Sequence, residues 1–149
     1  MPISEYWAKK RLELDKGTAV TAPAFYLGLL TSLPEAGVAA SQEFSGSMKE
    51  ATATNTAGKG YAAYARLAAS GAFWKAPTVG ATCEMLSNEI AKFAGLAAGE
   101  TLKVKAIALL EGSTVGSGNL YYWVPNEFEL TELVTPAEAA AGALSITLK

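Results

Sequence analysis

Short runs of β-forming residues, separated by turn residues, constrain the fold of this chain more than any other feature of its sequence. Two of the runs alternate apolar and polar residues with a period of two, and the other two are rich in β-branched or aromatic residues. The four runs are KVKAIALL (103–110), NLYYWV (119–124), EFELTELV (127–134) and ALSITL (143–148). Gly, Ser and Asn dominate segment 112–119, which has the composition of a hairpin loop. The second half is therefore predicted to be antiparallel β-structure.

A fifth strand is predicted in the first half, in the run AFYLGLL (24–30). Phe25, Leu27 and Leu29 would share one face of this strand, which indicates burial on at least that side.

The N-terminal run ISEYWAKKRLEL (3–14) is predicted to be a short amphipathic helix. Ile3, Trp7 and Leu14 fall on one side at helical spacing. Ser4 is suited to cap the start of the helix, and Gly17 to end it. Two alternatives stay open for the apolar stripe: packing against the chain's own domain, or contact with a neighbouring subunit.

Four segments between these runs are less regular. Residues 41–60 are rich in Ser, Thr, Gly and Ala, and we interpret them as an exposed loop that forms an adaptable contact surface. Residues 61–68 are compatible with helix or strand, and strand is preferred. Residues 90–93 are a short strand candidate, and residues 135–142 are predicted to form one helical turn.

Together these segments predict a mainly β protein: an antiparallel β-sandwich or jelly-roll-like domain with a short N-terminal helix. One domain would cover residues 1–149, with a helical arm at 1–16 and the exposed loop at 41–60. No convincing alternation of strands and helices is present, which argues against a doubly wound fold.

The balance of charge indicates what the chain associates with. Hydrophobic residues make up 50% of the 149, and charged residues only 17%. A surface with so little charge favours an assembly subunit, so we expect a homo-oligomer. The net charge of −2 disfavours nucleic acid as a partner. No apolar run approaches the length of a bilayer span and no secretory leader is recognisable, so no membrane association is expected.

The sequence offers little for catalysis. It has no histidine, which excludes His-based triads and His metal sites. Its single cysteine, Cys83, has no nearby cation to lower its pKa, so a buried inert thiol is the preferred interpretation. Glu127 and Glu129 are paired carboxylates only by residue type, since both would face outward from one strand. We therefore expect a non-enzymatic protein with no catalytic residue, no cofactor and no metal.

Candidate contact residues lie on the helical arm and in the exposed loop. They are Tyr6, Trp7, Lys10 and Arg11 on the helix, and Phe44 and Met48 in the loop. Residues Tyr121, Tyr122 and Trp123 could provide a stacking platform for sugars or bases, although packing in the core or an interface explains them more simply.

The order of these pieces resembles a family of small tailed-phage virion proteins, usually described as phage tail fibre or minor structural proteins. The resemblance spans nearly the whole chain and rests on an ordered set of short motifs. They are TAPAFYLGLLTS (21–32), Glu43-Phe44-Ser45-Gly46, Gly60-Tyr61 with Tyr64-Ala65-Arg66, Ser87-Asn88, Gly118-Asn119-Leu120-Tyr121-Tyr122 and the terminal GALSITL (142–148).

The resemblance implies a structural protein of the virion that is assembled in the cytoplasm of a bacterial host. A capsid decoration (cement) protein, bound to the major capsid protein and to neighbouring copies, is the preferred expectation. A tail fibre or baseplate component that contacts tail proteins, or a receptor-binding module that recognises a glycan, is the alternative.

Overall fold

A computed structural model describes residues 3–21, 24–33, 49–51, 61–79, 83–87, 91–131, 138–139 and 142–148 of the chain. These residues form one helix, nine strands and one 3₁₀ turn at Gly71–Phe73. The helix is α1 (Glu5–Asp15), and the strands are β1 (Phe25–Leu30), β2 (Leu67–Ala68), β3 (Thr78–Val79), β4 (Cys83–Leu86), β5 (Ala91–Lys92), β6 (Thr101–Glu111), β7 (Leu120–Thr131), β8 (Glu138–Ala139) and β9 (Ser145–Leu148). The predicted fold class, mainly β with one short N-terminal helix, is confirmed.

The described strands form three antiparallel sheets. The largest has the order β2-β1-β6-β7, the second β3-β4-β9, and the third pairs β5 with β8. Strands β1 and β6 lie in the middle of the first sheet and bury side chains on both faces. Leu27 and Leu29 enter the larger hydrophobic cluster, while Leu30 enters a smaller one together with Leu110. The alternation predicted for residues 24–30 is confirmed.

Strand β7 is longer than predicted. The sequence predicts two strands, at 119–124 and 127–134, but Leu120–Thr131 is continuous and passes through Pro125. Its pairing with β6 shifts between Val104, which faces Phe128, and Ala106, which faces Pro125. Strand β7 therefore carries one extra residue there, which is a β-bulge. Proline has no N–H to donate, and a bulge on an outer strand is a place where that loss is tolerated.

Ser4 and Gly17 bound helix α1 as predicted, although the helix covers Glu5–Asp15 rather than the predicted run 3–14. The Ser4 hydroxyl accepts a hydrogen bond from the Trp7 N–H at 3.1 Å, and Gly17 follows the helix with φ of +81°. The predicted apolar stripe is only partly buried. Ile3 precedes the helix and bridges Tyr122 of β7, with 41% of its surface exposed, and Leu14 is 57% exposed.

Two other predictions need correction. Residues 41–48 and 52–60 of the predicted exposed loop lie outside the described residues. Within the described part, however, Glu50 and Ala51 are buried because this segment pairs with β1: Leu30 bridges Glu50, and the Ala51 N–H donates to the Leu29 carbonyl at 2.8 Å. The helical turn predicted at 135–142 is wrong at Glu138–Ala139, which is a strand paired with β5.

The segment predicted as a strand at 61–68 is a strand only at Leu67–Ala68. The six residues before β2 are turn and irregular backbone, held in part by the Tyr61 hydroxyl, which donates to the Ala94 carbonyl. None of the helices in the described part of the chain is long and apolar enough to span a membrane.

Candidate interaction surface

A second bulge in β7 positions two neighbouring tyrosines on one side of the sheet. Leu109 of β6 faces Tyr122, but the next residue, Leu110, faces Leu120, so Tyr121 is the extra residue. Successive side chains of a regular strand point to opposite faces. Because of the bulge, Tyr121 and Tyr122 instead both enter the larger hydrophobic cluster. Helix α1 packs on these two tyrosines, which we call the tyrosine floor.

Ring contacts and hydrogen bonds hold helix α1 to the tyrosine floor. The Trp7 ring meets Tyr121 edge to face at 5.0 Å, and its indole N–H donates to the Tyr122 hydroxyl at 2.9 Å. The Tyr6 ring lies 6.0 Å from Tyr121. Ahead of the helix, the Ser4 N–H donates to the Tyr121 carbonyl at 2.7 Å, and the Ser4 hydroxyl donates to the Leu120 carbonyl. Trp7 and Ser4 therefore fix the helix to the outer strand β7.

An apolar crevice of about 240 Å³ opens between α1 and the sheet of β3, β4 and β9, and we call it the α1 groove. Its walls come from the helix, from β1 and β7, and from the second sheet. Its lining residues are Trp7, Arg11, Phe25, Pro77, Glu84, Met85, Tyr122 and Ile146.

A second, more open crevice of about 420 Å³ adjoins the α1 groove and shares Phe25, Pro77 and Met85 with it. Trp74 and Lys75 form its far side. The two crevices therefore make a continuous apolar surface along the edge of the second sheet.

The polar atoms of the aromatic rings on this surface are bonded within the chain. The Trp7 indole N–H and the Tyr122 hydroxyl bond each other, and the Trp74 indole N–H donates to the Ala69 carbonyl at 2.6 Å. The groove consequently presents ring faces and aliphatic side chains to an occupant. Charge is confined to Arg11 and Glu84, which are both half-buried at its margin.

A separate cluster of charged side chains packs against β1 at Gly28. The Arg66 guanidinium donates to Glu50 through Nε at 2.8 Å and through Nη2 at 2.7 Å, and both side chains have no exposed surface. Arg66 also donates to three backbone carbonyls, one at Glu111, the last residue of β6, and two in the β6–β7 loop, at Gly112 and Ser117.

The remaining contacts of Glu50 show that its carboxylate is enclosed. Oε1 also accepts from the Tyr64 hydroxyl at 2.7 Å, and Oε2 accepts from the Gly116 N–H at 2.7 Å. The Tyr64 hydroxyl in turn accepts from the Leu29 N–H at 2.9 Å. Burial, with a further contribution from the Glu50 charge, raises the pKa of Tyr64 well above its usual range. A carboxylate and guanidinium bonded this fully are suited to holding loops together rather than to proton transfer with a substrate.

Gly28 completes this cluster. A Cβ at this position would lie 2.6 Å from Leu110 Cδ1, 3.0 Å from Glu50 Oε1 and 3.1 Å from the Tyr64 hydroxyl. Only glycine leaves room on β1 for the buried ion pair.

The structure places the predicted contact residues in different environments. Tyr6 and Trp7 are half-buried against the chain's own core, which favours the first of the two alternatives for the helical stripe. Lys10 forms an ion pair with Glu13 at 2.9 Å, and Arg11 borders the α1 groove. Phe44 and Met48 lie outside the described residues.

Other sequence predictions have clear outcomes. Glu127 and Glu129 are exposed on β7, as predicted, and Glu127 pairs with Lys105 at 2.9 Å. Tyr121 and Tyr122 are buried in the core rather than displayed as a stacking platform, and burial with a contribution from Glu111 raises the pKa of Tyr121. Cys83 lies in β4. Among the residues described, no three His, Cys, Asp or Glu side chains are grouped so that they could hold a metal ion.

Sequence reasoning missed Glu50 and Arg66 as partners and missed the groove. Glu50 stands in a segment without periodicity, and its partner is 16 residues away, so no local pattern joins them. Met85 and Ile146 face each other across β4 and β9. The alternation of residues 143–148 indicates that Ile146 is apolar and inward-facing, but not that it lines a groove together with residues of α1.

No model of a known protein family matches this chain, and no curated protein matches it.

Proposed function

We propose that this chain is a non-enzymatic structural protein of a tailed-phage particle, and specifically a capsid decoration (cement) protein. Its partners are the major capsid protein and neighbouring copies of itself, and its location is the virion, assembled in the host cytoplasm. It binds no nucleic acid, membrane or cofactor in this role. Many modest contacts on a repeating surface add up through avidity, so a small binding subunit suffices.

The observation that carries the proposal is the α1 groove with its adjoining crevice. The surface is mainly apolar and is built from Trp7, Phe25, Met85 and neighbouring residues, and the polar groups of its aromatic rings are hydrogen-bonded within the chain. Surfaces of this kind fit apolar side chains of a protein partner better than a small polar substrate.

The use of the charged side chains supports the non-enzymatic part of the proposal. The enclosed carboxylate of Glu50 accepts four hydrogen bonds from Arg66, Tyr64 and Gly116. These contacts tie two loops to β1, which is a structural task. The phage part of the proposal is supported by the ordered resemblance of motifs such as GALSITL (142–148) to tailed-phage virion proteins.

Particles provide the direct test. We expect the protein in purified virions by mass spectrometry, with immunogold label over the head and added density on the capsid surface in a cryo-EM reconstruction. Particles from a phage lacking the gene are the control and should lose this density and resist heat or chelation less well. Absence of the protein from purified virions would contradict the proposal.

A tail fibre or baseplate component, or a glycan-binding receptor module, is the second candidate. The adjoining crevice favours it, because exposed Lys75 lies beside the half-buried ring of Trp74, and sugars stack on such rings. Label on the tail, together with antibody that blocks adsorption or a glycan-array signal lost in Trp74→Ala, would support this candidate over decoration.

A further inference from the structure

The face of helix α1 that borders the groove extends about one helical turn beyond the part of the helix that packs on the chain's own core. Trp7, Arg11 and Leu14 stand at positions i, i+4 and i+7, so they lie on one face of the helix. Trp7 and Arg11 line the α1 groove. Leu14 follows at the end of the same stripe with 57% of its surface exposed. The stripe that lines the groove at Trp7 and Arg11 therefore ends in an exposed, large aliphatic side chain three residues further along the helix.

We propose that this face is a two-fold interface between two copies of the chain, in which Leu14 of each copy enters the α1 groove of the other. The inference rests on the self-association in the proposed function and names the surface that performs it. In a two-fold interface, both copies use the same surface. That surface must therefore contain both a projecting side chain and a groove that can receive it. Leu14 and the α1 groove meet that requirement, since one helix stripe contains the first and borders the second.

The charges at the margin of the groove favour a second copy over other partners. Arg11 and Glu84 lie on opposite components of the wall, one on α1 and the other on β4. Neither forms an ion pair within the described part of the chain. A margin with one cation and one anion is complementary to itself, because rotation about a two-fold axis can place Arg11 of one copy opposite Glu84 of its partner. A strongly acidic or basic partner would instead match a margin of one sign.

Two leucines on the same helix allow a matched experiment. Leu12 is 64% exposed, even more than Leu14. Its side chain lies about 160° from that of Leu14 around the helix axis, so it faces away from the groove. The variants Leu14→Glu and Leu12→Glu therefore add the same charge to the same helix, in one case inside the proposed interface and in the other outside it. Both positions are exposed, so neither variant should disturb folding, which circular dichroism and thermal unfolding would verify.

Sedimentation velocity of the purified full chain tests the interface. We expect the wild type to be a dimer at about 100 μM, and Leu14→Glu to raise the dimer dissociation constant about 100-fold or more, because two leucines leave the interface. Leu12→Glu should remain a dimer. A monomeric wild type across about 1–200 μM, or equal behaviour of the two variants, would overturn the proposal.

Exchanging the charges of Arg11 and Glu84 at the margin of the groove tests the same interface independently, through the stability of the dimer. Arg11→Glu and Glu84→Arg should each weaken the dimer, since each places like charges across the two-fold axis. The double variant should restore it, because the opposite charges meet again in reversed order. A double variant no tighter than either single variant would overturn the assigned pairing of Arg11 with Glu84.

These outcomes are separate from those that test the proposed function. A monomeric wild type that is nevertheless found on virions overturns this interface and leaves the virion role standing. A dimer that is sensitive to Leu14→Glu but is absent from virions supports the interface and contradicts the role. If the chain is a monomer whose binding to particles is lost in Leu14→Glu, the groove receives an apolar segment of another virion protein, and the two-fold interface is wrong.

Discussion

Arg66 and Glu50 form a bidentate ion pair in the interior of the protein, with Nε–Oε1 and Nη2–Oε2 distances of 2.8 and 2.7 Å. Neither side chain has any exposed surface. The pair joins three parts of the chain that are distant in sequence: the segment at Lys49–Ala51, the residues before β2, and the β6–β7 loop. Removal of one partner would leave the other charged and buried, which is the costly way to break such a pair.

Glu50→Ala and Arg66→Ala should therefore each destabilise the protein by about 3–5 kcal/mol. Urea unfolding followed by tryptophan fluorescence would measure the loss. Lys105→Ala is the control, since it removes the exposed ion pair with Glu127, and it should cost less than about 1 kcal/mol. Equal losses for the buried and exposed pairs would show that the cluster does not anchor the loops.

Gly28→Ala should destabilise the protein by about 1–3 kcal/mol, because the added methyl group would lie 2.6 Å from Leu110 Cδ1 and against the Glu50–Tyr64 contact. Gly17→Ala provides the contrast. No atom lies within 4 Å of a Cβ at position 17, so its cost comes from the positive φ alone and should be about 1 kcal/mol. Unfolding midpoints in urea would separate the two, and a silent Gly28→Ala would mean that β1 and Leu110 can move apart.

The free energy of unfolding should fall at alkaline pH because the hydroxyl of Tyr64 keeps its proton in the folded state and loses it in the unfolded state. Burial, followed by the Glu50 charge, raises the folded-state pKa of Tyr64 above the ordinary value of 10.0. Below pH 10 both states hold the proton and the contribution is complete. Above pH 10 the unfolded chain loses its tyrosine proton while the folded chain keeps it, so the free energy of unfolding falls by about 1.4 kcal/mol per pH unit.

Urea unfolding of the wild type and Tyr64→Phe between pH 8 and about pH 11 would test this dependence. The phenylalanine variant should be less stable at pH 8, since the Leu29 N–H loses its acceptor, but its stability should fall less steeply above pH 10. An identical slope in both proteins would assign the alkaline loss to other groups, of which Tyr121 is the first candidate because its pKa is raised in the same direction.

Ser4→Ala should loosen α1 from β7. Its hydroxyl caps the helix by accepting from the Trp7 N–H and also donates to the Leu120 carbonyl, so the substitution removes two hydrogen bonds and should cost about 1–2 kcal/mol. Hydrogen exchange of the α1 amides should accelerate more than that of the β6 amides. Ser4→Thr, which retains a hydroxyl, is the control and should behave nearly as the wild type.

The candidate surface was only partly predictable. Tyr6, Trp7, Lys10 and Arg11 were predicted as contact residues on the helical arm, and the structure places Trp7 and Arg11 on the wall of the α1 groove. The opposite wall, with Met85 and Ile146, could not be inferred, because it depends on where the tertiary fold places β4 and β9 relative to the helix. Likewise, neighbouring residues of a regular strand point to opposite faces, and only the bulge opposite Leu109 and Leu110 places the Tyr121 and Tyr122 rings in one cluster.

The sequence by itself determined the local elements of this protein. Alternation and β-branched composition located β1, β6, β7 and β9, Ser4 and Gly17 bounded α1, and the glycine-rich segment at 112–119 located the hairpin loop. These features depend on neighbours within a few residues, so a single sequence contains enough information to predict them. Only the tertiary structure decided the burial of Glu50 beside Arg66, the need for glycine at position 28, and the exposure of Leu14 at the end of a stripe that lines the α1 groove. Each of these is set by contacts between segments that are distant in sequence, as in the bond from the Gly116 N–H to Glu50 across 66 residues, and no local pattern encodes such a contact.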